Sequence, residues 1–184
     1  MIIVLNGYPG VGKLTIGHEL IGVLGARLLD IHSVYNIAFA LTEFKSQAFM
    51  DAVERIEAVA HDLVCQLPED VPVVLTTVLT EGSAWGDAEW GRIVRLGRTR
   101  PPFCVVHLAC ALDENVRRIQ SEGRGAKRKP RDADMARRNH ADAKPLLGLD
   151  QPNLLRLDVT TLSPEDAAKA IAEWVHGLPP GATA

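Results

Sequence analysis

The sequence predicts a three-layer α/β/α domain around a parallel sheet, and three observations carry that expectation. Five short apolar runs recur along the chain, segments of helical period lie between them, and a glycine-rich turn joins the first run to the first helical segment. Apolar runs without polar alternation mark strands covered on both faces. Strand–helix alternation then brings such strands side by side in parallel through right-handed crossovers.

Each element has its own signal. Ile2 to Leu5 form the first run, closed by Asn6 and Gly7. A helical pattern starts at Lys13, with Leu14, Gly17, His18, Ile21 and Leu24 within reach of one another and Gly25 where a left-handed stop is expected. A second strand, Ala26 to Asp30, follows. The next helical stretch runs from about Ser33 to Leu67, broken near Thr42 to Ser46; its second part carries Val53, Ile56, Val59, Ala60, Leu63 and Val64 at helical spacing. Val71 to Leu79 is the most β-branched segment and reads as a central strand.

A helix over about Gly86 to Gly97 leads to the break RTRPP, and Phe103 to Ala109 is the fourth strand. Asp113 to Gln120 and Asp134 to Lys144 read as helices on either side of the basic, Gly- and Pro-containing stretch SEGRGAKRKPRDAD. PLLGLDQPN is a loop and Leu154 to Val159 the last strand. In LSPEDAAKAIAEWVHGL, Ser163 is placed to cap a helix, with Pro164 at its first position, acids in the first turn and Gly177 at the end.

The 184 residues suffice for one sizeable core and are too few for two ordinary domains, so the whole of 1–184 is expected to be one domain. A hydrophobic content of 47% with 23% charged residues is the balance of a globular domain, and the net charge of −3 argues against nucleic acid or an acidic membrane as a partner. No apolar run approaches the roughly 20 residues that a bilayer core demands. MIIVL lacks a basic leader, so it is expected to be a core strand and not a secretory signal. The three cysteines, Cys65, Cys104 and Cys110, have no CxxC spacing; reduced thiols and a cytoplasmic location are expected.

The chemistry begins in GYPGVGKLT. Gly7, Gly10 and Gly12 allow the backbone turns that converge main-chain N–H groups on one point, and Val11 lies between them. The helix starting at Lys13 adds its partial positive end, and the ammonium group of Lys13 adds a full charge. Strand, glycine loop, lysine and helix in this order form a phosphate-binding loop in the context that gives the motif its meaning. The motif normally continues with a hydroxyl residue that ligates magnesium; here Leu14 stands there, followed by Thr15. The strand Val71–Leu79 likewise has Thr76 and Thr77 where an aspartate is usual in such proteins.

GYPGVGKLT, followed by a strand ending in LLDIHSVYN, resembles the P-loop small-molecule kinases of the shikimate kinase and chloramphenicol phosphotransferase type. It also resembles a bacterial branch of AAA-type ATPases whose loop often reads GKLT and whose second strand ends in a histidine-containing motif. The likeness runs from Ile2 through LDVTTLSPEDAA. It implies a P-loop NTPase fold with strand order 2-3-1-4-5, ATP with Mg²⁺ as the cofactor pair, and a small hydroxyl-bearing acceptor.

On that resemblance the nucleotide contacts are Gly7, Gly10, Val11, Gly12, Lys13, Leu14 and Thr15, with Asp158 and Thr160 in the turn near the adenine. Asp30 keeps the first of two acids found after strand two in related kinases and would steady magnesium through water, with Thr15 and Thr76 as further oxygen donors. His32 replaces the second acid and is placed to act as a base toward the acceptor; the competing reading is that Asp30 caps the next helix and His32 packs on it. The stretch from about 115 to 133 resembles a kinase lid, with Arg118 leaving the helix, Arg124 closing over the phosphates, and Lys127 and Arg128 nearby; a solvated basic loop is the alternative.

Trp85 and Trp90 suit either an aromatic wall for the acceptor or ordinary packing. Asp158, Thr160 and Thr161 suit either the adenine turn or capping of the last helix. The remaining histidines, His18, His61, His107, His140 and His176, read as structural or surface groups. The function expected is transfer of phosphate from ATP to a hydroxyl; the rivals are a nucleotide-binding switch without transfer and, on the basic stretch alone, a nucleic-acid end kinase.

Overall fold

The computed structural model describes residues 1–121 and 132–179. The strands are β1 (Ile2–Asn6), β2 (Arg27–Asp30), β3 (Val73–Thr77), β4 (Phe103–Ala109) and β5 (Leu154–Asp158). The helices are α1 (Lys13–Leu24), α2 (Ile31–Leu41), α3 (Gln47–Cys65), α4 (Ala84–Thr99), α5 (Leu112–Gln120), α6 (Ala133–Ala141) and α7 (Pro164–His176). The strands make one parallel sheet in the order β2-β3-β1-β4-β5, the expected P-loop NTPase arrangement. None of the described helices is long and apolar enough to cross a membrane.

Hydrophobic burial explains the order. β1 is buried along its whole length between β3 and β4, whereas β2 and β5, at the edges, are only partly covered. On one face Ile3, Leu5 and Val106 pack with Ile16 and Leu20 of α1 and Ile171 of α7; on the other, Ile2, Val4 and Val105 pack with Trp90, Ile93 and Leu96 of α4. α1 lies so close to β2 that a Cβ on Gly17 would meet Leu28 Cδ1 at 2.8 Å.

Local signals set the helix ends. Ser46, Ser83 and Ser163 accept from the backbone N–H of Phe49, Gly86 and Asp166 and so cap α3, α4 and α7, with Pro164 opening α7 as expected. Gly25 ends α1 at φ 63°.

Two helices bury only part of their expected faces. α1 buries Ile16, Gly17 and Leu20, while His18 and Ile21 face outward, because its partners are α7 and Leu28. α3 buries Phe49, Val53, Glu57 and Val64, leaving Val59 and Leu63 61% and 59% exposed. The inward face of α3 carries Phe49, Val53, Ile56 and Ala60 in one apolar cluster and also Glu57, whose Oε2 accepts from Arg92 Nε of α4 at 2.5 Å, a pair that apolar spacing could not reveal. The strand expected over Val71 to Leu79 is shorter, since Val71 closes a turn on Pro68 and Leu79 pairs outside the sheet.

The carboxyl edge is knitted together by Asn6. Its buried amide donates to the carbonyls of Leu79 (2.9 Å) and Leu147 (3.1 Å) and accepts from the N–H of Leu79 (3.0 Å). His107 Nε2 also reaches the Leu147 carbonyl at 2.9 Å. The segment after α6 thus lies across the ends of β1, β3 and β4, directly beside the glycine loop.

Candidate active site

The glycine loop leaves β1 and enters α1 with Gly10 at φ 97° and Gly12 at φ 106°, conformations that side-chain-bearing residues rarely adopt. Gly12 is the N-cap of α1, so N–H groups of the first turn open on the loop. Lys13 Nζ donates to the carbonyls of Gly7 (2.5 Å) and Tyr8 (3.1 Å). These bonds hold the ammonium group over the loop.

Three side chains brace the loop from outside. Asn115 Nδ2 donates to the Pro9 carbonyl at 3.1 Å, and Tyr8 Oη exchanges hydrogen bonds with the backbone of Lys144. Arg118 donates from Nη1 to the Val11 carbonyl (2.9 Å), from Nη2 to the Val159 carbonyl (2.7 Å) and from Nε to Glu114 (2.6 Å). Arg118 therefore ties the loop to the turn after β5. Hydrogen bonds from Arg117 and Arg118 hold the Glu114 carboxyl down at about 2. Tyr8, Asn115 and Lys144 were not singled out in the sequence; their contacts join segments far apart in the chain, and no local pattern marks them.

Between Gly12, Thr15, Arg118 and Thr160 lies a cleft of about 540 Å³. Asp158 Oδ1 accepts from the N–H (2.8 Å) and hydroxyl (2.5 Å) of Thr160, which in turn accepts from the N–H of Ala111 at 2.8 Å. The Thr160 bonds lower the Asp158 carboxyl. Ser163 caps α7, while Thr160 lines the cleft and Asp158 holds it there through these hydrogen bonds.

At the end of β2, Asp30 occupies the N-cap position of α2 without capping it. Its carboxylate is turned to two other groups: Thr76 donates its hydroxyl to Oδ1, and His32 Nδ1 lies 3.0 Å from Oδ2. Thr76 itself accepts from the N–H of Ile31 at 3.3 Å. Against an ionised carboxylate Nδ1 carries the proton, which leaves the lone pair of His32 on Nε2. The His32 side chain is 37% exposed, so a small molecule can reach it.

The other expected residues divide. Leu14 and Thr15 stand in the first turn of α1, Leu14 half-buried and Thr15 exposed. Arg124, Lys127 and Arg128 lie outside the described residues. Trp90 forms no wall: it is buried, 6.1 Å from Phe103, and the turn at Gly148 lies flat on it. Trp85 is half-buried, its ring 5.8 Å from Tyr35 and 6.4 Å from Phe49.

With this geometry established, comparison with known families is informative. The model of an AAA domain family matches residues 3–140. The chain belongs to this family. Solved structures sharing the fold of this AAA-domain protein include a candidate kinase from Chloroflexus aurantiacus, at 19% identity, covering 95% of each chain with a TM-score of 0.64. A gluconokinase from Sinorhizobium meliloti aligns at 14% identity over 95% of this chain and 91% of its own, with a TM-score of 0.59. A shikimate kinase from Acinetobacter baumannii, in complex with shikimate, aligns at 17% identity over 97% and 95%, with a TM-score of 0.55. At these identities the likeness is one of fold. No curated protein matches the chain in sequence.

Proposed function

We propose that this protein transfers the γ-phosphoryl group of ATP to a hydroxyl of a small molecule. One observation carries the reading: the carboxyl edge of a single sheet presents a phosphate-binding loop after β1 and an oriented Asp30–His32 pair after β2. Phosphoryl transfer asks for positioning and charge stabilisation more than for covalent help, and this edge offers both.

In the proposed reaction the acceptor oxygen forms a new bond to the γ-phosphorus as the bond from that phosphorus to the β–γ bridging oxygen breaks. The products are a phosphate ester, ADP and one proton, which His32 Nε2 takes from the acceptor hydroxyl. Asp30 holds His32 in the receptive tautomer, and the loop amides with Lys13 meet the charge on the leaving diphosphate. Arg118 keeps the loop and the turn after β5 in register, so its part is to position.

Magnesium fits this site only on particular terms. Leu14 has no oxygen to offer, while the Asp30 carboxylate and the Thr76 hydroxyl supply hard donors. Such a set suits an ion that keeps most of its water and is held through Asp30. When bound there, magnesium would offset the negative charge of the β- and γ-phosphates.

Labelled ATP offered with pools of sugars, polyols, nucleosides and amino alcohols tests the proposal. Labelled ester should form, and Lys13→Ala should lose it together with nucleotide affinity. His32→Ala should lower transfer at least tenfold with nucleotide affinity intact. Leu14 and Thr76, both at positions where a magnesium ligand is usual, favour a second reading, a nucleotide-binding switch. Magnesium-insensitive ATP binding with no ester from any pool would establish it.

A further inference from the structure

The segment leaving β3 and the segment after α6 form a short antiparallel ribbon at the carboxyl edge. The Glu81 N–H donates to the Pro145 carbonyl at 2.9 Å, the Leu147 N–H donates to the Leu79 carbonyl at 3.0 Å, and Thr80 pairs with Leu146 between them. Strand order puts the exit of β3 between the glycine loop after β1 and the Asp30–His32 pair after β2. The ribbon therefore rises from the strand that separates the two halves of the proposed site.

One side chain of the loop reaches this ribbon. The Tyr8 hydroxyl donates to the Lys144 carbonyl at 3.1 Å and accepts from the Lys144 N–H at 2.8 Å, so a single group serves both main-chain atoms of one residue. Lys144 adjoins Pro145, the first rung of the ribbon, and its ammonium group lies beside Gly82, where a Cβ would meet Nζ at 3.4 Å. The Tyr8 carbonyl accepts from Lys13 Nζ at 3.1 Å. Tyr8 thus touches the loop's cation with its main chain and the ribbon with its side chain.

Asn6 also holds the ribbon, through Leu79 and Leu147, but it belongs to a strand buried along its whole length and is fixed whether or not the loop is filled. Tyr8 belongs to the loop itself, whose Pro9 and Val11 carbonyls are braced from outside by Asn115 and Arg118. A phosphate accepting from the amides of the loop and first turn would fix the same segment from inside. The ribbon can open in two ways, by breaking from Tyr8 or by carrying Tyr8 with it. Once the loop is fixed the second way is closed, and opening becomes rarer.

We infer that Tyr8 is a positioning residue that transmits phosphate occupancy of the glycine loop to the ribbon 79–82/144–147, so that filling the loop firms the acceptor side of the site. The inference rests on the phosphate-binding part of the reading above and names a regulation of that site; it does not require transfer.

Amide hydrogen exchange with and without ADP, at saturation for each variant, tests it. In the wild type ADP should slow exchange at Gly12 and Lys13 and also at Glu81 and Leu147, the latter pair about fivefold, the measure of one neutral hydrogen bond. Tyr8→Phe removes only a hydroxyl whose exposed contact water can replace, so the thermal midpoint should hardly move. In that variant ADP should still slow Gly12 and Lys13 while Glu81 and Leu147 keep their ADP-free rates. Equal protection of Glu81 and Leu147 in Tyr8→Phe would overturn the inference and assign the coupling to Asn6. Absence of that protection in the wild type would overturn it as well, and both results leave the phosphotransferase reading standing. Tyr8-dependent protection without ester from any acceptor pool would uphold the inference while the transfer reading falls. If ADP slows none of the loop amides, both fall together.

Discussion

Thr76 and Asp30 are register partners at the ends of neighbouring strands, and the Thr76 hydroxyl donates to Asp30 Oδ1. On the proposed reading, Asp30 at the end of β2, steadied by a threonine on β3, would take the part of the carboxylate that P-loop kinases carry on that neighbouring strand. A hydrogen bond to a charged group is worth roughly 1.5–3 kcal/mol, so Thr76→Ala is expected to slow transfer about tenfold or more with ADP affinity unchanged. Asp30→Ala should cost about a hundredfold. Thr76→Asp would set two carboxylates side by side, raise the pKa of one and move the pH optimum upward in a rate profile.

Leu14 offers a complementary gain-of-function experiment. A hydroxyl at this place in the first turn of α1 would add an oxygen donor close to the phosphates. Leu14→Ser is expected to lower the magnesium concentration for half-maximal nucleotide binding several-fold, while Leu14→Ala leaves it unchanged; titration calorimetry at varied magnesium distinguishes them.

The buried acid and imidazole of the α3–α4 interface give opposite pH trends. Burial above all raises Glu89 from 4.5 to about 7, so its contribution to stability is complete below pH 4.5 and lost as pH rises through 7. Glu89→Gln should therefore gain on the wild type across that window, by on the order of 3 kcal/mol in total. Burial, then Arg92 and Arg95, lower His61 from 6.5 to about 4, so its contribution is present above pH 6.5 and lost as pH falls through 4. His61→Gln should flatten the acid side of the stability curve. Urea unfolding at several pH values reads both effects.

Asn6 carries more of the fold than its size suggests. Asn6→Ala would strand the Leu79 N–H and the carbonyls of Leu79 and Leu147 away from water. A loss of about 2–4 kcal/mol in unfolding free energy is expected, with reduced nucleotide affinity, because the loop starts at the next residue.

The parts readable from sequence were those whose physics is local. Gly10, Gly12 and Lys13 sit within one loop, Ser163 and Pro164 within one turn, and the apolar runs within single strands, so their elements follow directly. Polar groups that choose partners across the chain were hidden. Glu57 met Arg92 across the α3–α4 interface on a face that also holds Val53, Ile56 and Ala60, and Thr76 found Asp30 only once β2 and β3 were adjacent. His61 and His107 carried no pattern in sequence, yet each meets a partner, Glu57 and the Leu147 carbonyl, when the layers close.

Gly17 lies a turn beyond the glycine loop, and its missing side chain leaves room for α1 to approach Leu28. Because the amino end of that same helix carries the glycine loop's phosphate-facing amides, a side chain at position 17 too large for Leu28 to turn aside from would tilt those amides as a rigid rod tilts about a wedge. Enzymological screens would then register a distant packing fault as impaired triphosphate capture, with every group that contacts the triphosphate still intact.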